Sequence, residues 1–151
     1  MRDDEGWMRE ALTEARLALA HGDVPVGAVV VALSNGAIVG RGHNVRERDG
    51  DPTGHAEMHA LRAAAARAQR WRLDDHALVV TIEPCPMCAG AAWAARVRLL
   101  VFGAPDPKAG AAGSLYNFAV DPRLNHQTEV IPAVLADECS ELLREFFAWR
   151  R

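Results

Sequence analysis

The sequence predicts an α/β fold in which helices cover both faces of a mixed β-sheet, giving a three-layer α/β/α sandwich. Two observations lead to this prediction. Near the N-terminus an amphipathic helical pattern precedes two β-rich segments joined by a turn signal, and later in the chain short apolar segments alternate with longer helical ones. A hairpin pairs its strands antiparallel, whereas strands connected through helices pair in parallel. Because the chain has 151 residues and no interdomain linker, residues 1–151 are expected to form a single domain.

The first third of the chain predicts a helix, a hairpin and a loop. Apolar residues recur at helical spacing over residues 7–20, with charged residues between them. Two β-rich segments follow at 26–33 and 37–41, and the Ser, Asn and Gly at 34–36 form the turn signal of a hairpin. The polar segment 44–54 contains one proline and two glycines, so it is interpreted as a loop that leads to the second helix.

Five further elements and one loop are predicted by the same criteria. They are a helix at 55–70, a strand at 77–82, a helix at 86–96, a strand at 98–103, a Gly/Pro-rich loop at 103–113 and a helix at 134–149. Pro86 stands where the first turn of a helix tolerates proline, because that turn needs no hydrogen bond from its first N–H groups. The section between 113 and 134 is less regular.

Composition bounds the class of protein. Half of the residues are hydrophobic and a quarter are charged, which is ordinary for a globular chain and unlike a disordered tail or a fibre. No apolar segment has the length of a membrane span or a signal peptide, so a cytoplasmic protein that does not enter the membrane is expected. The net charge of −3 argues against non-specific nucleic-acid binding over the whole surface, but it is compatible with a local basic patch.

Three cysteines indicate metal or redox chemistry in preference to a disulfide framework. Cys85 and Cys88 form a Cys-x-x-Cys motif at a predicted loop-to-helix junction, and His55 stands at another such junction thirty residues earlier. A helix N-terminus lowers the pKa of a thiol, which favours the thiolate that binds zinc. Three protein ligands leave the fourth tetrahedral position to water, as in catalytic zinc sites. We therefore predict one Zn²⁺ per subunit.

Glu57, two residues after His55, is the predicted catalytic residue. Positions i and i+2 do not share a helix face, so both side chains reach one metal only where the helix is just starting. A carboxylate beside a zinc-bound water takes a proton from it and returns that proton to a ring nitrogen and then to a leaving amine.

Other interpretations of these motifs stay open at this point. A Cys-x-x-Cys alone is as compatible with a structural or redox role as with catalysis. His59 lies four residues after His55, so the two histidines would share a helix face and could close a structural Cys₂His₂ site, which would leave Glu57 without a role. Cys139, far along the chain, is interpreted as a packed small hydrophobe.

The combination of His-x-Glu with Pro-Cys-x-x-Cys is the signature of zinc nucleobase deaminases. Over residues 24–151 the chain resembles the bacterial tRNA-specific adenosine deaminases of the cytidine/deoxycytidylate deaminase superfamily, which convert the wobble adenosine of the anticodon to inosine. The resemblance is strongest at 24–29, 51–57, 83–90, 108–115 and 137–139. It implies a cytidine-deaminase-like fold with a central sheet of about five strands, a zinc-dependent hydrolase, a homodimer, and the tRNA anticodon loop as partner.

The same resemblance implies eight substrate-binding residues. They are Asn44, Asp106, Lys108, Asn125, Phe146, Phe147, Arg150 and Arg151. The C-terminal helix would offer aromatic surface to bases and cations to phosphates, although an amphipathic last helix with a solvated basic end has the same sequence. Either asparagine would equally suit a turn. The metal motif is shared with small-molecule guanine and cytosine deaminases, which remain the alternative function, and a non-catalytic zinc-binding module is a further alternative.

Overall fold

The computed structural model describes residues 2–150 and has the predicted three-layer architecture. Its elements are α1 (Asp4–Ala20), β1 (Gly27–Ala32), β2 (Ala37–His43), α2 (Arg46–Asp49), α3 (Ala56–Ala68), β3 (His76–Ile82), α4 (Pro86–Ala94), β4 (Leu99–Ala104), β5 (Glu129–Ile131) and α5 (Ala136–Trp149). None of the helices in this part of the chain combines the length and the hydropathy needed to cross a membrane.

The five strands form one mixed sheet in the order β2-β1-β3-β4-β5. β1 pairs antiparallel with both β2 and β3, whereas β3–β4 and β4–β5 are parallel, which confirms the expected mixture. β5 lies in the section that the sequence leaves irregular. With only three residues it is too short to show a period-two pattern, and its partner β4 supplies the hydrogen bonds that define it.

Helices cover the sheet on both faces, and the alternating side chains of β1 show how. Ala28 and Val30 pack with α3 and α4 on one face, and Val29 and Val31 pack with α1 and α5 on the other. Because both faces are covered, β1 reads as a continuous apolar run with no polar alternation.

Two predicted boundaries differ from the structure for identifiable reasons. α1 begins at Asp4, three residues before the predicted start, because the Asp3 carboxylate accepts a hydrogen bond from the N–H of Gly6 (3.0 Å). The segment 44–54 is not wholly a loop, because it contains the single helical turn α2. That turn is held by the carboxylate of Asp23, which accepts hydrogen bonds from two of its backbone N–H groups. Because this carboxylate lies 24 and 25 residues before the two N–H groups, the turn has no local sequence signal.

Two glycines of β2 let α3 lie directly on the sheet. A Cβ atom on Gly42 would collide with the backbone of Ala56 and Ala60, and one on Gly40 would collide with the backbone of Ala60 and Ala64. The start of α3 is therefore positioned by contact with the β2 backbone.

Candidate active site

The proposed metal ligands lie at the starts of α3 and α4. His55 is the N-cap residue of α3 and Cys85 that of α4, both with extended backbone, and neither side chain caps its helix. Cys88 follows in the first turn of α4. Because these side chains make no capping bonds, they are free to turn toward one another, and the two helix starts converge as the spacing predicts.

The three ligand atoms form a group whose dimensions fit zinc. His55 Nδ1 lies 3.6 Å from Cys85 Sγ and 3.5 Å from Cys88 Sγ. A tetrahedral zinc with bonds of about 2.3 Å to sulfur and about 2.0 Å to nitrogen holds such atoms ~3.5 Å apart. Two thiolates and one imidazole are also the donors that zinc prefers. The residues therefore fit a three-ligand zinc site with one coordination position open.

The closed Cys₂His₂ alternative does not match this arrangement. Within residues 2–150, the group able to hold a metal comprises His55, Cys85 and Cys88, and His59 is not part of it. The Nε2 atom of His59 is buried and has no hydrogen-bond partner in the part of the chain that the structure describes. Cys139 is buried against Gly103 in the core, in agreement with its interpretation as a packing residue.

Hydrogen bonds among the ligands separate the pKa values of the two thiols. The pKa of Cys85 falls to about 4, first because of its hydrogen bond with the Cys88 thiol and also because of its hydrogen bond with His55. The pKa of Cys88 is raised, first by the same hydrogen bond and then by burial. The pKa of His55 is raised, first by its hydrogen bond with Cys85, and the positive charge of Arg46 acts in the opposite direction. One thiolate is thus present at neutral pH before any metal binds.

Glu57 lies in the first turn of α3 and is almost fully buried, with 3% of its surface exposed. Burial raises the pKa of its carboxyl group to about 7, because a carboxylate is poorly stabilised away from water. A group with this pKa both accepts and donates a proton near neutral pH, which is the property required of a general acid and base.

A cavity of about 370 Å³ opens beside this group. Its volume is in the range of small-molecule sites, and its lining combines apolar side chains with a few polar ones. The lining residues are Val24, Val26, Asn44, Arg46, His55, Ala56, Glu57, Ile82, Glu83, Cys85, Asp106, Lys108, Ala109, Leu143 and Phe147.

The predicted substrate-binding residues divide into three groups. Four of them line the cavity: Asn44, Asp106, Lys108 and Phe147. Phe146 and Arg150 line a neighbouring cavity together with the exposed Trp149, and the Arg150 guanidinium lies 4.6 Å from the centre of the Phe146 ring. Asn125 is exposed on a loop outside both cavities, and Arg151 lies outside the described residues.

Asn44 lines the cavity and also makes hydrogen bonds with the backbone. Its Nδ2 donates to the carbonyl of Val24 (3.2 Å), and its Oδ1 accepts from the N–H of Arg46 (3.0 Å). An asparagine amide has two N–H donors, so one remains for a ligand. The turn role and the binding role are therefore compatible.

Glu83 is a polar residue of the site to which sequence reasoning assigned no role. It is 2% exposed and follows β3 directly. Its carboxylate accepts hydrogen bonds from the backbone N–H groups of Asp106 (3.1 Å), Ala112 (3.0 Å) and Ser114 (3.0 Å), and from the Ser114 hydroxyl. Glu83 therefore ties down the loop that carries Asp106 and Lys108. The sequence offered one signal for this role, which is the position of an acidic residue between an apolar strand and a proline.

Comparison with known proteins agrees with this geometry. Residues 1–104 match the family described as the cytidine and deoxycytidylate deaminase zinc-binding region. The chain belongs to this family. Its zinc-binding character and the fitting group of three ligands together assign zinc as the cofactor of this deaminase domain.

Relatives within the family resemble the chain over nearly its whole length. The tRNA-specific adenosine deaminase of Bacillus subtilis is 48% identical over 97% of this chain and 90% of its own. The enzyme of the same name from Haemophilus influenzae is 49% identical over 98% of this chain and 85% of its own.

Solved structures share the fold. A structure from studies of A-to-I editing by tRNA:A34 deaminases at the wobble position has a TM-score of 0.86 at 39% identity and covers 91% of this chain and 99% of its own. The guanine deaminase of Nitrosomonas europaea has a TM-score of 0.85 at 26% identity and covers 98% of this chain and 86% of its own. The deaminase fold is therefore common to enzymes with different substrates.

Proposed function

We propose that this chain is a tRNA-specific adenosine deaminase that hydrolyses the wobble adenosine of the anticodon to inosine and releases ammonia. The observation that carries the proposal is the three-ligand zinc group with the buried Glu57 beside it on a cavity of about 370 Å³. The choice of substrate is supported by the two relatives of that name, at 48% and 49% identity, against 26% for the guanine deaminase.

The proposed reaction consumes one water and yields inosine and one ammonia for each adenosine. His55, Cys85 and Cys88 would hold the zinc, which would supply the activation of a water for attack at neutral pH. Glu57 accepts a proton from the attacking water and passes it to a ring nitrogen while the oxygen adds to C6. Glu57 then carries the proton of the new C6 hydroxyl to the 6-amino group, the C6–N bond breaks as the carbonyl forms, and ammonia leaves. The apolar cavity wall, including Ile82 and Phe147, keeps bulk water away from the base.

The RNA contacts remain those expected from the resemblance. An anticodon loop is single-stranded, so its adenosine is extruded into a pocket at lower cost than a base in a duplex. We propose that the cavity residues contact the inserted nucleoside and that the others contact neighbouring nucleotides. The first set is Asn44, Asp106, Lys108 and Phe147, and the second is Asn125, Phe146, Arg150 and Arg151.

The expected homodimer is proposed to use the groove between α3 and α4. This groove has a volume of about 250 Å³, and its lining is almost entirely apolar, including Met58, Leu61, Ala65 and Ala94. Trp71 borders it with 61% of its surface exposed. Small alanines allow close packing of helices, and an exposed apolar groove of this kind suits a self-complementary interface.

The deciding experiment compares two classes of substrate, RNA and small molecules, for the purified, zinc-loaded protein. A synthetic RNA stem-loop with one adenosine at the wobble position is incubated in parallel with free guanine, cytosine and cytidine, and inosine and ammonia are measured. The proposal expects inosine in the stem-loop and no ammonia from the free bases. Ammonia from a free base, with the stem-loop adenosine unchanged, would identify a small-molecule deaminase instead.

A further inference from the structure

Arg46 is a cation on the cavity wall for which neither the sequence motifs nor the proposed chemistry gives a role. It lies at the start of α2, its side chain is exposed at the cavity, and its charge acts on His55. Within residues 2–150 its guanidinium has no hydrogen bond and no ion pair. An unpaired arginine beside a binding site is available to an anionic ligand.

The backbone that carries Arg46 is held at three points. Its own N–H donates to Asn44 Oδ1 (3.0 Å), and the N–H groups of Glu47 (2.7 Å) and Arg48 (3.1 Å) donate to the carboxylate of Asp23, which is fully buried. The side chain therefore extends from a fixed base, and less entropy is lost when it binds a ligand.

The neighbouring arginine of the same turn, Arg48, differs from Arg46 because it has an ion-pair partner and lies away from the cavity. Arg48 donates to the Asp49 carboxylate (2.9 Å) and does not line the cavity. The two residues have the same chemistry, helix and exposure, so Arg48 provides a matched control for Arg46.

Within residues 2–150, none of the carboxylates that line the cavity is paired with Arg46. Asp106, the acidic residue of the facing loop, accepts hydrogen bonds from the N–H groups of Lys108 (3.0 Å) and Ala109 (3.2 Å) in its own turn. Glu83 and Glu57 are buried, and the first is already bonded to its loop. Among the described residues that line this cavity, Arg46 and Lys108 are the two with a permanent positive charge.

We infer that Arg46 binds a phosphate of the RNA backbone next to the nucleotide whose base occupies the cavity. When a base enters, its ribose and flanking phosphates stay at the mouth, and the guanidinium fork matches the geometry of phosphate oxygens. The inference rests on the proposed function, because it requires an RNA substrate. A free nucleobase has no phosphate for Arg46 to bind.

The test uses the zinc-loaded enzyme and a stem-loop RNA with one adenosine in its loop. We expect Arg46→Gln to raise KM about three- to tenfold with little change in kcat, and to lower the slope of log affinity against log salt by about 0.7. Arg48→Gln should behave like the wild type. Replacing the phosphates that flank the adenosine with neutral methylphosphonates should weaken binding to the wild type, and should add little in Arg46→Gln, because the contact is already absent.

Three results separate failure of this inference from failure of the proposed function. Equal KM and equal salt slopes for Arg46→Gln and Arg48→Gln, with wild-type turnover of the stem-loop, would overturn the role of Arg46 alone. Additive losses from the methylphosphonates and Arg46→Gln would also overturn it. Absence of wild-type turnover on the unmodified stem-loop would overturn the proposed function, and the inference with it.

Discussion

Glu57 combines near-complete burial with a position beside the zinc ligands. A structural carboxylate in such a place would need several hydrogen bonds, as Glu83 has. Glu57 instead faces the cavity, with its pKa raised to about 7. The two acidic residues of the site therefore differ: Glu57 has the pKa that the proposed proton transfer requires, and Glu83 holds a loop.

Glu57→Gln tests the catalytic role without removing the side-chain volume. We expect kcat to fall by about 10²- to 10⁴-fold, because a glutamine cannot accept the proton. Zinc content, measured by metal analysis, should remain one per subunit, since Glu57 is not among the ligands. His59→Ala should keep both its zinc and its turnover. Zinc loss in His59→Ala would restore the closed Cys₂His₂ model, and unchanged turnover in Glu57→Gln would favour a different proton carrier.

Sequence reasoning identifies residues whose role depends on local spacing. His55 and Glu57, and likewise Cys85 and Cys88, are close in sequence and stand at helix starts, so their convergence follows from the chain itself. Glu83 was missed, because no local motif marks its role. Glu83 bonds groups 23 to 31 residues away, and such pairs appear only after the loop has folded.

At the scale of elements, the close contact between β2 and α3 links the sheet to the metal site. Gly40 and Gly42 face successive turns of α3, and neither has room for a Cβ atom. Gly42 contacts the turn that begins at Ala56, next to His55, whereas Gly40 contacts the following turn. The two glycines differ mainly in their distance from the zinc ligands.

Gly42→Ala and Gly40→Ala form a matched pair. Each added methyl group pushes α3 away from the sheet, so we expect each variant to lose about 1–3 kcal/mol of unfolding free energy. Only Gly42→Ala should also lower zinc affinity, because it shifts the helix start that carries His55. Denaturant unfolding and competition with a zinc chelator measure the two effects. Equal zinc affinities for the two variants would show that α3 does not set the ligand position.

Elements were predicted best where a periodic pattern was long. The amphipathic period of α1 and the apolar run of β3 predicted their positions to within three residues. β5 and α2 were not predicted, because three or four residues cannot show a period, and both depend on tertiary partners.

At the scale of the whole molecule, the layered fold was predictable from the alternation of helices and strands. The order of the strands was not, since the central place of β3 between β1 and β4 depends on which apolar runs become buried on both faces. That residues 1–151 form a single domain stays a prediction.

The proposed dimer has a test based on adjacent residues of one helix. Ala65 lines the groove between α3 and α4, whereas Ala66 is exposed outside it. Ala65→Glu should produce monomers in sedimentation velocity, because it places a charge in an apolar interface. Ala66→Glu should leave the oligomeric state unchanged, although it alters helix propensity and charge to the same extent. Dimers of equal stability in both variants would exclude this groove as the interface.

Two acidic side chains hold the cavity walls. Asp23 accepts hydrogen bonds from the turn that carries Arg46, and Glu83 accepts hydrogen bonds from the loop that carries Asp106 and Lys108. Each wall is therefore held by one acidic residue. The metal ligands lie elsewhere, at the starts of α3 and α4. Grafting a different loop onto the Glu83 anchor is a route to a new substrate range that leaves the catalytic metal in place.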